Sequence, residues 1–391
     1  MSERIYLDNS ATTLIRKEAL EKYNEISINC YGNPSSLHEM GVLAERELKA
    51  ARDTVRATLG APDSTVVFTA SGSEANNLAI IGRAYSKDRY RRTHARIITT
   101  EGEHASVNAP LDRLRAEGFT VDKLRTVGGT IDMDELEGML GEDVILLTIM
   151  MVNNETGALY DIAGISKILK RRAPNALLHV DATQSYMKLP FTKRSLGADM
   201  ITVSSHKIEG PKGVGALIID PRVIKERGIS PVILGGGQEG GLRSGTENVP
   251  AVAAFAEAAR LAHAELNESF ERVEGLRDYL IRRLAEDGRL SGISPTLPSR
   301  HAPHILNITL PAIKSETMLH YLSSLGIFVS SGSACSSNGG HMSSALTAYG
   351  KTESEADSSI RISLSHRNTK EDIDGLVEGL KSGLAKLSRM R

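Results

Sequence analysis

The chain has 391 residues, more than one ordinary domain, so we expect two domains. Its 47 lysines and arginines balance 48 aspartates and glutamates, and the net charge of −1 argues against nucleic acid or an anionic membrane as a partner. Two cysteines, Cys30 and Cys335, are too few for a disulfide framework or a cysteine-rich zinc site. We expect a cytoplasmic location, because the first ten residues contain no apolar signal segment and no apolar run has the length of a membrane span.

Between residues 64 and 220, short β-branched runs alternate with longer helical patterns. The runs cover residues 65–69, 96–100, 144–148, 177–180, 200–203 and 214–219. Apolar runs of this length between helices predict strands buried on both faces of a mainly parallel sheet, as in an α/β domain. Ligands of such sheets bind beyond the carboxyl ends of the strands, so we expect the functional side chains directly after each run.

A long helical stretch from 251 to about 286 follows Pro250 and suits a helix that joins two domains. We predict a large domain at 15–262 and a small α+β domain formed by 1–14 and 263–391. The small domain contains short strands near 304–310, 327–330 and 360–364, and a last helix with an apolar stripe on one face.

Small polar residues and an imidazole follow the first runs. Gly72 and Ser73 come after 65–69, where backbone N–H groups at a helix start can hold a phosphate, although such a pair is usually a simple helix cap. His104 follows 96–100 and can stack on a flat ring and carry protons, although a single histidine is more often structural. Asn154 ends the next apolar run, where an amide can donate to a cofactor or substrate oxygen, and an Asn/Gly turn explains it equally well.

A carboxylate and a lysine follow the next two runs. Asp181 and Lys207 match the needs of pyridoxal phosphate (PLP), because an amine forms the Schiff base and a carboxylate keeps the ring nitrogen protonated. Gln184 is placed to reach the phenolic oxygen of the same ring. Ser204 and His206 offer a hydroxyl and an imidazole to its phosphate. The sequence therefore predicts a PLP site at the sheet edge.

Six motifs extend this interpretation. They are YLDNSATT at 6–13, GNPSS at 32–36, HVDATQS at 179–185, SHKIEGPKG at 205–213, LRSGT at 242–246 and SSGSAC at 330–335. With these motifs the chain resembles, nearly from end to end, the cysteine desulfurase family of class-V, fold-type-I PLP enzymes. The resemblance implies a large domain with a mainly parallel seven-stranded sheet between helices, plus the smaller α+β domain.

The resemblance also implies a role for each matching residue. Lys207 would form the Schiff base, Asp181 would pair with the pyridine nitrogen, and His104 would stack on the ring. The other implied contacts are Gln184 and Asn154 near the ring oxygen, Gly72, Ser73, Ser204 and His206 at the phosphate, Thr246 at the phosphate from the other subunit of a homodimer, and Asn33, Asn154 and Arg361 at the substrate. An arginine fork such as that of Arg361 suits a carboxylate.

Cys335 lies in a run of small polar residues with no packing value, which favours a reactive thiol, whereas Cys30 has no such motif. The resemblance implies that L-cysteine gives its sulfur to Cys335 as a persulfide and leaves as alanine, with His104 passing protons near the leaving sulfur. The sulfur would then go to an acceptor protein, for iron–sulfur cluster assembly or for thiolation of tRNA or a cofactor. We predict no resident metal site, and Cys335 is a candidate cluster ligand only during transfer.

Two departures from the family pattern bear on the acceptor. The chain ends at Arg391, directly after the last helix, and the residues after Cys335 read SSNGGHM, unlike the housekeeping iron–sulfur members. The acceptor is therefore expected to be either a cluster scaffold or a dedicated thiolating enzyme.

Two other functions stay open. A selenocysteine lyase or another class-V aminotransferase would share the cofactor site, although Cys335 argues against a plain transaminase. A non-catalytic platform that holds sulfur or a cluster would have no use for Lys207, Asp181 and Arg361 together.

Overall fold

The structure, a computed structural model, describes residues 4–86, 95–311, 313–331 and 343–387, so Cys335 lies outside the described residues. In chain order the strands are β1 Ile5–Tyr6, β2 Thr65–Thr69, β3 Arg96–Thr100, β4 Thr120–Leu124, β5 Val144–Met150, β6 Leu177–Asp181, β7 Met200–Ser204, β8 Gly215–Ile219, β9 Ser294–Thr296, β10 Ile305–Thr309, β11 Ile327–Phe328, β12 Ser330–Ser331 and β13 Ser359–Ser363. The α-helices are α1 Lys17–Asn29, α2 Glu39–Thr58, α3 Gly72–Ala84, α4 Ala105–Ala116, α5 Met133–Met139, α6 Ile162–Arg172, α7 Lys193–Leu196, α8 Pro221–Lys225, α9 Val249–Ala264, α10 Leu266–Glu286, α11 Ser315–Ser324, α12 Ser344–Tyr349, α13 Glu353–Asp357 and α14 Lys370–Leu387.

The seven-stranded, mainly parallel sheet is confirmed. Its strands lie in the order β2-β8-β7-β6-β5-β3-β4, and only β8 runs antiparallel to its neighbours. Every residue of β6, β7 and β8 is buried, which explains their continuous apolar runs. The carboxyl ends of β5, β6 and β7 therefore meet at one edge of the sheet.

The strand β4 is absent from the sequence-predicted runs. Its sequence, Thr-Val-Asp-Lys-Leu, contains two charged residues and only its last residue is buried. As the last strand of the sheet it contacts a single neighbour, β3, and Asp122 pairs with Arg96 of that strand at 3.2 Å. Charged side chains are typical of such edges, and they conceal the strand from a search for apolar runs.

The predicted helix from 251 to about 286 is wrong in one respect, because the stretch forms two helices, α9 and α10, that meet at Glu265. The carboxylate of Glu265 accepts hydrogen bonds of 3.0 and 2.7 Å from the Arg16 guanidinium. Phe255 of α9 packs in the hydrophobic core of the large sheet, whereas Leu280 of α10 packs in a second core with β10, β13 and α14. The division at residues 262 and 263 stays a prediction.

The predicted strand at 327–330 is also two strands. β11 pairs in parallel with β1, and β12 pairs antiparallel with β13. β13 also pairs with β10, and β9 completes a four-stranded sheet on the other side of β10. The strand at 327–330 thus changes partner at Val329, and β12 brings Ser330 opposite Arg361. Among the described residues no helix combines the length and apolarity that a membrane crossing requires.

Candidate active site

A cavity of about 440 Å³ lies beyond the carboxyl ends of the parallel strands. It gathers ten of the sequence-predicted site residues, namely Gly72, Ser73, His104, Asn154, Asp181, Gln184, Ser204, His206, Lys207 and Arg361. Ser330 and Ser331 of β12 close another part of its wall. The site therefore combines the edge of the large sheet with two strands of the smaller one.

Lys207 ends a single 3₁₀ turn, Ser205–Lys207, that follows β7 directly. The chain then reverses through Glu209 and Gly213, whose φ angles are +63° and +80°, before it enters β8. This tight reversal fixes the lysine at the strand end. The Lys207 amine donates hydrogen bonds to the backbone oxygens of Ser10 and, at 2.9 Å, Ala11.

Asp181 is the last residue of β6, and it is 6% exposed. Its Oδ2 accepts a hydrogen bond of 2.8 Å from Asn76 Nδ2, and its Oδ1 accepts one of 2.9 Å from the Thr183 backbone N–H. These bonds fix the carboxylate at the cavity wall but come from neutral donors. A buried carboxylate is most stable beside a cation, and a protonated pyridine nitrogen would provide one.

An anion cradle lies at the start of α3. Ser71 caps this 13-residue helix by accepting the Glu74 N–H, and the backbone of Gly72 and Ser73 borders the cavity. A Cβ at Gly72 would approach Ser204 Cβ and Thr183 Oγ1 to 3.2 Å, so glycine keeps this space open. The buried Ser204 hydroxyl has no hydrogen-bond partner within the described residues. Helix N–H groups and an unpartnered hydroxyl fit a phosphate group.

Two histidines at the site are neutral at physiological pH. His104 caps α4, where its Nδ1 accepts the Ser106 N–H at 3.1 Å, and burial lowers its pKa. Burial, followed by the neighbouring charge of Lys207, lowers the pKa of His206 to about 4. A neutral imidazole at His104 can accept one proton and return it, as a proton carrier must.

Arg361 presents its guanidinium to the cavity from the middle of β13, although its side chain is only 9% exposed. It donates to the Asn154 backbone oxygen and to Asp8 Oδ1, both at 2.9 Å. Its Nε is buried and has no partner in the part of the chain that the structure describes. These contacts orient a planar donor fork toward a space that can take a carboxylate.

Gln184 lines the same cavity. Its Nε2 donates to the Ser10 backbone oxygen at 3.0 Å, while its buried Oε1 has no partner among the described residues. The orphaned oxygen can take a hydrogen bond from a bound group. The residues of the cavity thus fit PLP, with Lys207 for the aldehyde, Asp181 for the ring nitrogen and the α3 cradle for the phosphate.

Two predicted residues lie elsewhere in the single chain. Asn33 is exposed, and its Oδ1 accepts the Ser35 N–H at 2.9 Å. Thr246 is exposed and borders a separate cavity of about 190 Å³ beside Phe68 and Arg243. The assignment of these two residues to the site therefore stays a prediction, as does that of Cys335, which is outside the described residues.

Three carboxyl or amide groups were not predicted from the sequence: two contact residues of the site, and the third, Glu103, directly precedes His104. Asp8 accepts a hydrogen bond from Arg361, and Asn76 donates one to Asp181. Asn76 lies one helical turn after Gly72, on the same face of α3. Glu103 accepts the Met150 N–H with both carboxylate oxygens at 3.0 Å, and burial raises its pKa to about 8. The helical spacing from Gly72 was a usable signal for Asn76, whereas Asp8 and Glu103 depend on contacts distant in sequence.

Comparison with known proteins agrees with this geometry. A family model described as Aminotransferase class-V matches residues 5–376. A cysteine desulfurase from Trichormus azollae is 38% identical over 377 residues, which cover 96% of this chain and 91% of that protein. A solved structure described as a NIFS-like protein gives a TM-score of 0.89 at 34% identity and covers 98% of this chain and 100% of its own. SspA in complex with cysteine gives a TM-score of 0.79 at 30% identity and covers 94% of this chain and 100% of its own.

The position of Lys207 generates a direct prediction. Lys207→Ala removes the amine but leaves the phosphate cradle and Asp181, so the variant should bind PLP yet lack the visible absorption band of a lysine adduct. Absorption spectra and borohydride trapping followed by peptide mapping measure this. Lys225→Ala, at an exposed lysine of α8, is the matched control and should keep the band. An unchanged band in Lys207→Ala would contradict the assignment.

Proposed function

The chain belongs to the cysteine desulfurase branch of the PLP-dependent aminotransferase class-V family, and on this premise we propose that it converts L-cysteine to L-alanine and takes the sulfur on Cys335. One observation carries the proposal. The cavity joins Lys207, Asp181 and Arg361 to Ser331, and Cys335 follows Ser331 by four residues. Four residues extend over at most about 14 Å, so the thiol is tethered to the site.

The reaction balances without an external oxidant. The Cys335 thiol forms an S–S bond to the substrate sulfur as the substrate C–S bond breaks. The β-carbon keeps the electron pair of that bond and gains a proton, which makes the methyl group of alanine. The β-carbon gains two electrons from the two sulfur atoms, which are oxidised as they join to form the persulfide.

PLP, when bound, supplies an electron sink for negative charge at the α-carbon of the substrate. Asp181 would pair with the ring nitrogen and thereby keep that sink effective. The Lys207 amine is placed on the cavity wall to take the α-proton and to return a proton afterwards. The neutral His104 imidazole would transfer a proton at the leaving sulfur.

Arg361 is proposed to bind the substrate carboxylate. The Arg361 guanidinium already pairs with the Asp8 carboxylate, which keeps the guanidinium oriented. The substrate carboxylate would bind beside Asp8 or displace it. Such preorganisation lowers the entropy that binding must overcome. The cysteine in the SspA complex belongs to a related structure and supports this substrate class.

We also propose a homodimer whose subunits complete each other's sites. Thr246 and Asn33 lie away from the cavity of their own chain, as residues that serve a neighbouring subunit would. Four large apolar side chains are at least 70% exposed in the single chain, and three of them lie within ten residues of one another, which is consistent with a surface that a second subunit covers. They are Ile28, Tyr31, Leu37 and Leu234.

The remaining assignments follow from the same family premise. A large domain at 15–262 and a small domain at 1–14 and 263–391 are supported by the separate cores around Phe255 and Leu280. A cytoplasmic location is supported by the use of only two cysteines in 391 residues. The persulfide sulfur would pass to an acceptor protein of iron–sulfur cluster assembly or of tRNA or cofactor thiolation.

The role of Cys335 is tested by alanine formation from L-cysteine in the presence of a reductant. Cys335→Ser should lower the rate by at least about 100-fold, because it removes the attacking thiol. Cys30→Ser is the matched control and should keep the wild-type rate. Turnover of L-cysteine that is unchanged in Cys335→Ser would refute the desulfurase assignment, and retained turnover of selenocysteine alone would favour a selenocysteine lyase.

The role of Arg361 is tested by steady-state kinetics. Arg361→Lys keeps the charge but removes the planar fork, so the KM for L-cysteine should rise about 10- to 100-fold, which corresponds to the loss of one charge-assisted hydrogen bond. Arg260→Lys, at an exposed arginine of α9, should leave KM unchanged. A normal KM in Arg361→Lys would assign the carboxylate to another group.

Sharing of sites between subunits is tested by co-expression of two differently tagged copies, one with Lys207→Ala and one with Thr246→Ala. If Thr246 serves the partner's site, the purified mixed dimer contains one intact site and recovers about half of the wild-type activity at limiting PLP. If Thr246 serves its own chain, no site is intact. Activity of the mixed dimer no higher than that of the Thr246→Ala dimer would therefore contradict the proposal.

A further inference from the structure

Hydrogen bonds connect His104 to Asp181 through two side chains to which the proposed reaction gives no role, Ser106 and Asn76. Ser106 is the second residue of α4 and borders the active-site cavity, and Asn76 is buried in α3. The Asn76 Nδ2 donates to Asp181 Oδ2 at 2.8 Å and to Ser106 Oγ at 2.9 Å. Ser106 Oγ lies 2.8 Å from His104 Nδ1. These three contacts form a continuous path from the end of β6 to the start of α4.

The Asp181 carboxylate fixes the direction of the hydrogen bonds along this path. An ionised carboxylate can only accept, so the Asn76 side chain must turn its NH₂ group toward Asp181. The reversed amide would place Asn76 Oδ1 against a carboxylate oxygen and would lose both hydrogen bonds. Because Nδ2 carries two hydrogens, the second one is given to Ser106 Oγ, which therefore accepts.

Ser106 then has one hydroxyl hydrogen to donate, and His104 Nδ1 is the acceptor within reach. The backbone N–H of Ser106 donates to the same nitrogen at 3.1 Å. A ring nitrogen that accepts a hydrogen bond carries no proton. A neutral imidazole has a single N–H, so its proton must lie on Nε2.

The position of this proton determines what His104 can offer to a bound group. Burial lowers the pKa of His104, which keeps the ring in its neutral form. Both hydrogen bonds of His104 side-chain atoms within the described residues involve Nδ1, and the ring borders the cavity. The Nε2–H is therefore the donor of the neutral ring, and a proton that the ring takes up must enter at Nδ1, on the Ser106 side.

We propose that Ser106 and Asn76 are positioning residues that hold His104 as the Nε2–H tautomer, so that the imidazole gives an N–H donor to the sulfur of a bound substrate. A sulfur with negative charge makes a charge-assisted hydrogen bond, which is stronger than a neutral one. The role of the donor rests on the proposed desulfurase reaction, whereas the tautomer depends only on this chain. Because the path begins at Asp181, the carboxylate proposed for the pyridine nitrogen also sets the proton position on His104.

Neutron diffraction from deuterium-exchanged crystals of the wild-type holoenzyme tests the tautomer at neutral pD. Deuterium is expected on His104 Nε2 and on Ser106 Oγ, directed at Nδ1, with none on Nδ1 itself. This measurement needs no substitution and no catalytic activity. Deuterium on Nδ1 would overturn the proposal.

The role in turnover is tested by alanine formation from L-cysteine. Ser106→Ala removes the O–H donor and leaves one Asn76 hydrogen unpaired, so kcat should fall about 2- to 10-fold, the effect of one neutral hydrogen bond, while KM stays unchanged. Ser106→Thr keeps the hydroxyl and should restore most of the rate. Ser354→Ala, at an exposed serine of α13, is the matched control and should keep the wild-type rate.

A double-mutant cycle with His104→Gln separates positioning from a general structural role. If Ser106 acts through His104, Ser106→Ala should cause no further loss in the His104→Gln variant. An equal fold loss in both backgrounds, or no loss in either, would overturn the proposal. A wild type that forms no alanine would refute the desulfurase reaction and the role of the donor in it, whereas the neutron map would still decide the tautomer.

Discussion

The active site depends on one buried charge, the Asp181 carboxylate at the end of β6. A buried carboxylate is stable only if hydrogen-bond donors surround it. Asn76 and the Thr183 backbone N–H are two such donors, and Asp181 also borders the cavity. The parallel pairing of β5, β6 and β7 fixes the depth of this charge relative to Lys207. The protonated ring nitrogen of PLP would complete the balance under the proposed role of Asp181, and cofactor binding would then be linked to the stability of this sheet edge.

The four-stranded sheet contributes the arginine of the site, which the seven-stranded sheet does not provide. Arg361 enters from β13, and its orientation depends on Asp8 near the start of the chain and on the backbone of Asn154. Three distant parts of the sequence therefore converge on one guanidinium. Under the proposed role of Arg361, this convergence couples the packing of the smaller sheet to substrate recognition, because a displacement of β13 would move the guanidinium away from Lys207.

Much of the site could be predicted from the sequence because polar residues follow buried apolar strands, as with Asp181 and Lys207. The edge strand β4 escaped because Asp122 and Lys123 interrupt its apolar pattern. The helix break at Glu265 escaped because no glycine or proline marks it, and the contact of Glu265 with Arg16 spans 249 residues. Asp8 was missed for the same reason, since its contact with Arg361 spans 353 residues. Local patterns identify strand ends, whereas long-range pairing decides which charges meet.

The short ladder between β12 and β13 has a consequence for sequence divergence. Ser330 and Ser331 are fixed opposite Arg361 and Ile360, and one residue inserted in β13 before Arg361 would turn the Arg361 side chain to the opposite face of the sheet. Such an insertion would remove the proposed carboxylate-binding group from the cavity. Changes in the sequence after Ser331 leave the pairs of this ladder unchanged, so selection could adapt that sequence to a new partner while Arg361, the proposed substrate-binding group, stays in place.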